Sequence, residues 1–258
     1  MKYYKDFLKI LKRLGIKKGD VLYVASDLLR LIILSKSKKK EFCLNQFINT
    51  LIKSVGNDGT ILIPTYNWDF CKNIKFDYIN TKSQCGSLSN VCLKRRDFKR
   101  TRHPIYSFAV YGKFQDYLFK LNNKSSWGKN SPFDFIYRKR AKNLFIGIDY
   151  KKAFTMDHYF EQIANVKYRF HKNFSAKYID HNGKISKKTF SMFVRNKKLC
   201  DTTILDPKLD KILYKKKGLK KIKNCNIDYS LINIDKAGKI LLNDLRNSKS
   251  VYIYPIKN

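Results

Sequence analysis

Apolar side chains return every three or four positions in two early segments of the chain, Tyr3 to Leu14 and Phe42 to Val55. This period places them on one face of a helix, so both segments are predicted to be amphipathic helices. The first segment stops at Gly15, and the second stops at the turn sequence Gly56-Asn57-Asp58-Gly59.

Four short apolar runs lack the alternation of apolar and polar residues that marks a half-exposed strand. They are Val21 to Ala25, Thr60 to Pro64, Ser107 to Gly112 and Asn143 to Ile148. Such runs are typical of strands buried on both faces of a sheet, and a predicted helix, Gln115 to Leu121, separates the third run from the fourth.

The second half of the chain has a different pattern. Asn182-Gly183 lies between two candidate strands, Ala176 to Asp180 and Ser186 to Arg195, and this dipeptide favours a tight hairpin. After the hairpin, the pattern predicts two helices and a final strand; they are Pro207 to Lys217, a helix near Tyr229 to Ile234, and Val251 to Ile256. We therefore predict a single α/β domain over residues 1–258, in which helices cover a central, mixed, largely buried sheet and an antiparallel hairpin is appended in the C-terminal half.

Composition supports a folded core. The 258 residues include 43% hydrophobic and 14% aromatic side chains. No apolar run reaches the roughly 18 residues of a membrane-spanning helix, and the N-terminus lacks a signal-peptide core, so we expect a cytoplasmic protein without membrane insertion. The six cysteines form no C-x-x-C pair, which favours free, mostly buried thiols and no bound metal, with a thiol nucleophile left open.

The chain is strongly basic, with 55 Lys and Arg residues against 20 acidic residues and a formal net charge of +35. The lysines are spread from end to end, and the densest runs, Lys36 to Lys40 and Lys215 to Lys223, are interpreted as solvated surface. No nucleic-acid recognition motif is present, so no specific nucleic acid is expected as a partner. The charge favours phosphate-bearing small molecules, including coenzyme A (CoA).

Candidate chemistry centres on the four histidines, because the phosphate loop, the dinucleotide fingerprint and the G-x-S-x-G elbow are all absent. His171 and His181 stand in polar, lysine-rich sequence, and His103 precedes a predicted strand. His158 follows an apolar strand and opens a predicted helix that Thr155 would cap.

Glu161 follows His158 by three residues, so the two side chains share one face of this helix. A carboxylate at that position orients the imidazole and stabilises its cation, which suits a general base that removes a proton from an amine. The same spacing also occurs on ordinary surface helices, so the pair alone does not identify an active site.

Several ordered segments between residues 14 and 195 resemble the aminoglycoside 3-N-acetyltransferase family. The segments are Leu14 to Val24, Val55 to Tyr66, Arg102-His103-Pro104 with Ser107, Gly128 with Ser131-Pro132-Phe133, Gly147, Thr155-x-x-His158-x-x-Glu161, and Tyr168-Arg169. The sequence departs from the family pattern at Ala25-Ser26-Asp27-Leu28, and the following small-residue loop is replaced by an apolar and then basic stretch.

The resemblance implies an N-acetyltransferase that takes acetyl-CoA as donor and a primary amine of an amino sugar as acceptor. It implies His158 and Glu161 as the catalytic pair. It also implies that CoA is held by hydroxyl-bearing loops, which map to Ser26, Ser83 and the loop from Arg102 and His103 to Ser107. Ordinary helix capping is the alternative role for Ser26 and Ser83.

The acceptor is predicted from charge. Aminoglycosides are polycations, whereas this chain is basic, so a nucleotide-linked or polysaccharide-precursor amino sugar is the main hypothesis. Asp69 and Asp157 are candidate acids in the acceptor site, as is Asp77, and Tyr66 and Trp68 could stack on a sugar. One alternative is an aminoglycoside acceptor, with antibiotic resistance as the outcome; another is transfer of a longer acyl group. A third is a non-catalytic relative that binds polyanions. The protein is expected to be a monomer or homodimer.

Overall fold

The computed structural model describes residues 2–37, 41–247 and 250–257, with side chains described from residue 6 onward. The strands are β1 (Val21–Ser26), β2 (Thr60–Pro64), β3 (Phe76–Asp77), β4 (Lys99–Arg100), β5 (Phe108–Gly112), β6 (Lys142–Ile146), β7 (Arg169–Ile179), β8 (Ile185–Arg195), β9 (Thr202–Leu205), β10 (Leu219–Asn224), β11 (Ile227–Asn233) and β12 (Ile253–Ile256). The helices are α1 (Lys2–Leu14), α2 (Leu29–Ser37), α3 (Leu44–Val55), α4 (Ser87–Lys94), α5 (Gln115–Lys120), α6 (Pro132–Arg138), α7 (Tyr150–Ala153), α8 (Met156–Ala164), α9 (Lys208–Lys215) and α10 (Ile234–Arg246), and a 3-10 turn covers Asp69–Lys72.

A mixed sheet forms the centre of the fold. Within the described residues it has seven strands in the order β10-β11-β6-β1-β2-β5-β4. The three central strands β6, β1 and β2 are parallel, and antiparallel strands flank them on both sides. The predicted central mixed sheet is therefore confirmed.

Hydrophobic clusters cover both faces of this sheet. Successive residues of β1 enter opposite clusters: Leu22 and Val24 pack with α1 and α3, while Tyr23 packs with the aromatic residues of α6 and α8. Burial on both faces explains why the central strands show no alternation of apolar and polar residues. It also places α8 and its polar residues against the aromatic face.

The predicted hairpin is present and longer than expected. β7 and β8 pair in antiparallel register along their full lengths, from Arg169↔Arg195 to Ile179↔Ile185, and β3 adds a third strand. The loop between them includes Asn182-Gly183, and Gly183 has a φ of 80°, a conformation that favours glycine. Because β7 begins at Arg169, the hairpin starts next to α8.

The helix predicted near Tyr229 to Ile234 is wrong, because this segment belongs to strand β11. Tyr229 and Leu231 pack on one face of the sheet and Ile232 on the other, so this segment has the continuous apolar pattern of a central strand. The helix follows immediately as α10, where the Asn233 side chain accepts a hydrogen bond from the backbone N–H of Lys236.

The remaining structural predictions are confirmed with small shifts in their ends; for example, α3 begins at Leu44 and α9 covers Lys208–Lys215. The lysines between 215 and 223 are exposed, as expected, whereas Lys38 to Lys40 of the other basic run lie outside the described residues. All six cysteines are free, but only Cys92 and Cys200 are buried; Cys43, Cys71 and Cys85 are partly exposed and Cys225 is exposed, so the expectation that most of the thiols are buried is wrong. In the described part of the chain, every helix is too short or too polar to cross a bilayer.

Candidate active site

Helix α8 carries His158 and Glu161. It begins at Met156 shortly after the central strand β6, and its apolar side chains Tyr159 and Phe160 pack into the aromatic cluster. Thr155 stands at the N-cap position as predicted, but its side chain makes no capping hydrogen bond and interacts with the hydroxyl of Tyr23 instead. The helix is therefore held by packing rather than by its cap.

His158 and Glu161 form the predicted pair. Nδ1 of His158 lies 3.1 Å from Oε2 of Glu161. The Glu161 side chain is fully buried, whereas 26% of the His158 side chain is exposed. The hydroxyl of Tyr168 donates to the other carboxylate oxygen of Glu161 at 3.0 Å. A buried carboxylate thus holds an imidazole whose remaining nitrogen, Nε2, is left for the solvent side.

Arg169 extends this pair into a cluster. Its Nη2 lies 2.8 Å from Oε2 of Glu161 and 3.2 Å from Nδ1 of His158, and its Nη1 donates to the carbonyl of Phe193 on β8. The side chain is almost fully buried, at 4% exposure. A buried carboxylate without a partner is costly, so this guanidinium makes the burial of Glu161 tolerable.

Asp157 places a second carboxylate at the same ring nitrogen. Its Oδ1 lies 3.1 Å from Nδ1 of His158 and accepts the backbone N–H of His158 at 2.7 Å. Burial raises the pKa of Asp157 to about 6; the charge of Glu161 adds to this effect, while those of His158 and Arg169 oppose it. Burial would also raise the pKa of Glu161, but the hydrogen bond and charge of His158, together with Arg169 and Tyr168, outweigh it and lower that pKa.

A cavity of about 810 Å³ opens above this cluster. His158, Asp157 and Arg169 line it, as do Trp127 and Tyr106. The Trp127 ring packs edge-on against the His158 ring at a centroid distance of 4.8 Å. The volume falls in the range of small-molecule sites, and the exposed part of the imidazole faces it.

The charges on the cavity wall are mixed. Its basic residues are Lys151, Lys152, Arg169, Arg195 and Lys197, and its acidic residues are Asp149, Asp157 and Asp201. Asp149 lies 3.8 Å from Lys151 in a long ion pair. The wall can therefore hold phosphates on one part and amines on another.

The same residues are also candidate ligands for a metal ion. Asp157, His158 and Glu161 offer ligand atoms within 4.8 Å of one another. The guanidinium of Arg169, however, already contacts both Glu161 and His158 and supplies the positive charge beside them. The donor set therefore fits an imidazole–carboxylate–guanidinium cluster better than a metal centre.

Three residues that were predicted to hold CoA lie in or beside the loop before β5 and do not line the cavity. His103 is 1% exposed, its Nδ1 accepts the backbone N–H of Tyr106 at 3.2 Å, and burial lowers its pKa to about 3. Ser107 is fully buried and donates to the carbonyl of Thr65 at 2.8 Å. Arg102 stacks its guanidinium over Phe119 at 4.5 Å. The polar groups of His103 and Ser107 are therefore engaged within the fold.

The two predicted serines also lie away from the cavity wall. Ser83 is buried, and its hydroxyl accepts the backbone N–H of Cys85 at 3.0 Å, which is a local turn contact. Ser26 is partly exposed at the end of β1, beside Ile146 of β6. Of the predicted donor-binding hydroxyls, Ser26 is the one that remains accessible.

The predicted acceptor residues are divided between two places. Asp157 lines the cavity. Tyr66 is buried with its hydroxyl 3.0 Å from that of Tyr23, and Asp69 starts the 3-10 turn and pairs with Lys72 at 3.4 Å. Trp68 is 39% exposed and donates to the hydroxyl of Tyr106 at 3.2 Å. None of these three lines the cavity; Tyr66 and Trp68 pack beside Tyr106 of its wall, whereas Asp69 does not contact that wall in the described residues.

Three residues of the site received no role from the sequence. Arg169 belongs to the dipeptide Tyr168-Arg169 of the family resemblance, but its contact with Glu161 joins a strand to a helix and cannot be read from local sequence. Trp127 and Tyr106 pack against each other with tilted rings, at a centroid distance of 4.7 Å, and both line the cavity. Aromatic residues are so frequent in this chain that no local signal separates these two from the core.

The chain is similar to known proteins over most of its length. A sequence profile of the aminoglycoside 3-N-acetyltransferase family matches residues 34–238. The SPbeta prophage-derived aminoglycoside N(3')-acetyltransferase-like protein YokD of Bacillus subtilis (strain 168) is 24% identical over 166 residues, which span 55% of this chain and 59% of that protein.

Solved structures share the fold over nearly the whole chain. A room-temperature neutron/X-ray structure of sisomicin-bound AAC-VIa superposes with a TM-score of 0.76 at 18% identity, covering 95% of this chain and 98% of that one. The binary complex of AAC-IIIb with CoASH gives a TM-score of 0.76 at 14% identity, with coverage of 95% and 96%. With the profile match over most of its length, the chain belongs to the aminoglycoside 3-N-acetyltransferase family.

Proposed function

We propose that the protein transfers the acetyl group of acetyl-CoA to a primary amine of an aminoglycoside-type amino sugar. The observation that carries the proposal is the contact of 3.1 Å between His158 and Glu161 at the edge of the cavity of about 810 Å³. Related proteins bind CoASH in one solved structure and sisomicin in another, which supports both substrates.

The chemistry follows from the position of the imidazole. Nδ1 of His158 is enclosed by its partners, so Nε2 is the nitrogen that takes a proton from the acceptor amine. The amine lone pair attacks the thioester carbonyl carbon and forms a tetrahedral oxyanion. The C–S bond then breaks, and the proton on Nε2 passes to the departing CoA thiolate. Glu161 holds the ring and stabilises its cation between these steps.

The basic part of the cavity wall is where we place the phosphates of the donor. Lys152, Arg195 and Lys197 line the cavity, and CoA carries a pyrophosphate and a further phosphate. Ser26 remains a proposed donor contact because it is accessible. Ser83, His103 and Ser107 would act on the donor only through the loops that they stabilise, since they are buried.

The comparisons favour the aminoglycoside alternative for the acceptor. The family and the sisomicin-bound relative support a cationic amino sugar, whereas the nucleotide-linked sugar rests on net charge alone. The donor's phosphates would account for the basic wall, and the negative charges of Asp149 and Asp201 on the same wall would attract the ammonium groups of the acceptor. The basic charge of the chain therefore no longer argues for an anionic acceptor.

The experiment is a thiol-release assay of acyl-CoAs against a panel of amino sugars. We expect CoA release with acetyl-CoA and kanamycin- or sisomicin-type compounds, and weaker release with longer acyl chains. A higher kcat/KM for UDP- or dTDP-linked amino sugars would overturn the acceptor assignment. Absence of CoA release with every acceptor, from protein that binds acetyl-CoA in calorimetry, would overturn the proposed activity.

A further inference from the structure

The ring nitrogen Nδ1 of His158 has conflicting neighbours. Oε2 of Glu161 and Oδ1 of Asp157 lie 3.1 Å from it on the carboxylate side, and Nη2 of Arg169 lies 3.2 Å away. Glu161 accepts a hydrogen bond from Nδ1 and Asp157 acts on Nδ1 through its negative charge, so both carboxylates favour a proton on Nδ1 and a free lone pair on Nε2. A guanidinium donates, so it favours an unprotonated Nδ1 and moves the proton to Nε2.

Glu161 alone does not offset the effect of Arg169 on which ring nitrogen of His158 carries the proton. Its Oε2 already accepts from Arg169 at 2.8 Å, and its Oε1 accepts from Tyr168 at 3.0 Å. Both oxygens are therefore engaged, and the guanidinium balances the charge of Glu161. Asp157 is placed differently: its Oδ1 accepts the backbone N–H of His158 at 2.7 Å and lies 3.1 Å from Nδ1 of His158, and Arg169 acts on this carboxylate through its charge rather than through a direct contact in the described residues.

We infer that Asp157 is a positioning residue that holds the proton of His158 on Nδ1 and so keeps Nε2 free to act as the base. The inference rests on the proposed function, because a free Nε2 matters only if His158 removes a proton. Asp157 acts through His158. Arg169 contacts Glu161 and not Asp157, so the negative charge of Asp157 is the one that decides in favour of a proton on Nδ1.

The same carboxylate affects the charge of the cluster during the reaction. Before proton transfer the ionised cluster carries Asp157 and Glu161 as anions, Arg169 as a cation and a neutral ring, for a net charge of −1. When the amine proton reaches Nε2 the cluster becomes neutral. With Asn at position 157 the same transfer would create a net positive charge in a largely buried site, which is less favourable.

Charged and titratable groups act on Asp157 from several neighbouring elements, and Lys151 and Lys152 of α7 line the same cavity. His158 and Glu161 face it from α8, Arg169 from β7, Tyr23 from β1, and Tyr106 from the loop before β5. Arg169 is the cation among the partners that contact this cluster directly. Two carboxylates, those of Asp157 and Glu161, therefore lie near a single guanidinium, that of Arg169.

The first test reads the tautomer directly and needs no substrate. Long-range ¹H–¹⁵N spectra of histidine-labelled protein at pH 8 distinguish protonated from unprotonated ring nitrogens, and His158→Gln identifies the signals of His158. We expect Nδ1–H in the wild type, a shift of the major population to Nε2–H in Asp157→Asn, and retention of Nδ1–H in Asp157→Glu. An Nε2–H tautomer in the wild type, or an unchanged tautomer in Asp157→Asn, would contradict the inference.

The second test is steady-state kinetics with the acceptor found in the thiol-release screen. Asp157→Asn should lower kcat by about 10- to 100-fold with a much smaller change in the KM for acetyl-CoA; this is less than the roughly 10²- to 10⁴-fold contribution of a general base, because Asp157 acts through His158. Asp157→Glu should restore most of the activity. Asp116→Asn, which removes an exposed carboxylate paired with Lys99, is the matched control and should keep wild-type kcat.

The two tests separate the inference from the proposed function. If the wild type releases no CoA but the tautomer responds to Asp157→Asn as expected, the function is wrong and the positioning role stands. If the wild type is active while Asp157→Asn keeps both full kcat and the Nδ1–H tautomer, the positioning role is wrong and the function stands.

Discussion

His158 and Glu161 differ in burial, and this difference sets how each residue responds to substitution. His158 is partly exposed to the cavity, whereas Glu161 is 0% exposed and paired with Arg169. His158→Ala should therefore reduce kcat by about 10²- to 10⁴-fold and leave folding nearly unchanged. Glu161→Gln should reduce kcat and also lower the thermal midpoint, because it leaves the Arg169 cation without its partner.

The measurements are kcat from thiol release, acetyl-CoA affinity from calorimetry, and thermal midpoints. Donor affinity should survive both substitutions. Near-wild-type kcat in both variants would refute the assignment of this pair as the base.

Asp157 should make stability depend on pH. Its pKa in the folded protein, about 6, is above its ordinary value, so the folded state binds more protons than the unfolded state between about pH 4 and pH 6. The free energy of unfolding should fall over this window as pH rises, by on the order of 2 kcal/mol from this group. Asp157→Asn removes the group and should flatten that slope.

Urea unfolding of both proteins at pH 4.5, 6 and 8 measures this difference. The free energy of unfolding of Asp157→Asn relative to wild type should rise from the lowest pH to pH 6 and then stay level. If the difference in the free energy of unfolding is the same at all three pH values, the pKa of Asp157 is not raised in the folded protein.

Local spacing was enough to predict the core of the site but not its surroundings. His158 and Glu161 share a helix, so their three-residue separation determines that they meet. Arg169 reaches them across the turn between α8 and β7, and such a contact depends on tertiary packing. The sequence predicts His103 and Ser107 in an accessible loop, but both are buried. Their burial depends on the packing of the whole fold, which the local sequence does not show.

At the scale of elements, Arg169 fastens the hairpin to helix α8. It contacts Glu161 on α8 and the carbonyl of Phe193 on β8. Arg169→Met should lower the free energy of unfolding by about 3–5 kcal/mol, because it leaves a buried carboxylate unpaired. Arg138→Met, which removes a guanidinium that is 53% exposed and paired with Asp134, should cost less than about 1 kcal/mol.

Denaturant unfolding measures both variants, and the double variant Arg169→Met with Glu161→Gln completes the test. The double variant should lose clearly less stability than the two single losses added together, because the unpaired charge is gone. Simple additivity would mean that the two residues do not stabilise each other.

Gly238 controls how closely helix α10 approaches α6 and α8. A Cβ at this position would lie 2.4 Å from Cε2 of Tyr137 and 2.8 Å from Cε1 of Phe160. Alanine normally stabilises a helix relative to glycine, but here it should destabilise the protein by about 1–3 kcal/mol through overpacking. Lys239→Ala, at the exposed neighbouring position, should change stability by less than about 0.5 kcal/mol.

Calorimetric unfolding and kcat should be measured for both α10 variants. A Gly238→Ala protein as stable as the wild type would show that α10 can move away without cost. Loss of kcat together with stability would show that α10 also supports the position of His158 through α8.

Elements whose pattern was unambiguous were predicted well, and the main error has a physical cause. The central strands and α1 and α3 followed directly from their apolar periods. β11 was mistaken for a helix because a short, continuous apolar run is compatible with either structure until its neighbours are known. Its position between β10 and β6, which buries both of its faces, decided the outcome.

At the scale of the whole molecule, the net charge of +35 predicts behaviour that is separate from catalysis. The protein should bind bulk nucleic acid or heparin at low salt and release it as salt rises from about 50 to 200 mM, because such binding releases counterions. The KM for acetyl-CoA should increase over the same range, because salt screens the attraction between the phosphates of CoA and the basic residues of the cavity wall.

Heparin-column retention and kinetics at several salt concentrations test this prediction. Retention that persists above about 0.5 M salt, with no CoA release for any acceptor, would favour the non-catalytic polyanion-binding alternative. Activity that is independent of bound polyanion would separate the surface charge from the function of the cavity.

The pairing of β1 with β6 has a consequence for how the protein reaches its folded state. Leu22 pairs with Lys142, 120 positions later, while β1 pairs with β2 over a much shorter separation. During synthesis, one edge of β1 therefore stays open until more than half of the chain has left the ribosome. Such an edge recruits other chains, so the yield of active protein should improve when translation is slowed or when refolding is carried out at high dilution.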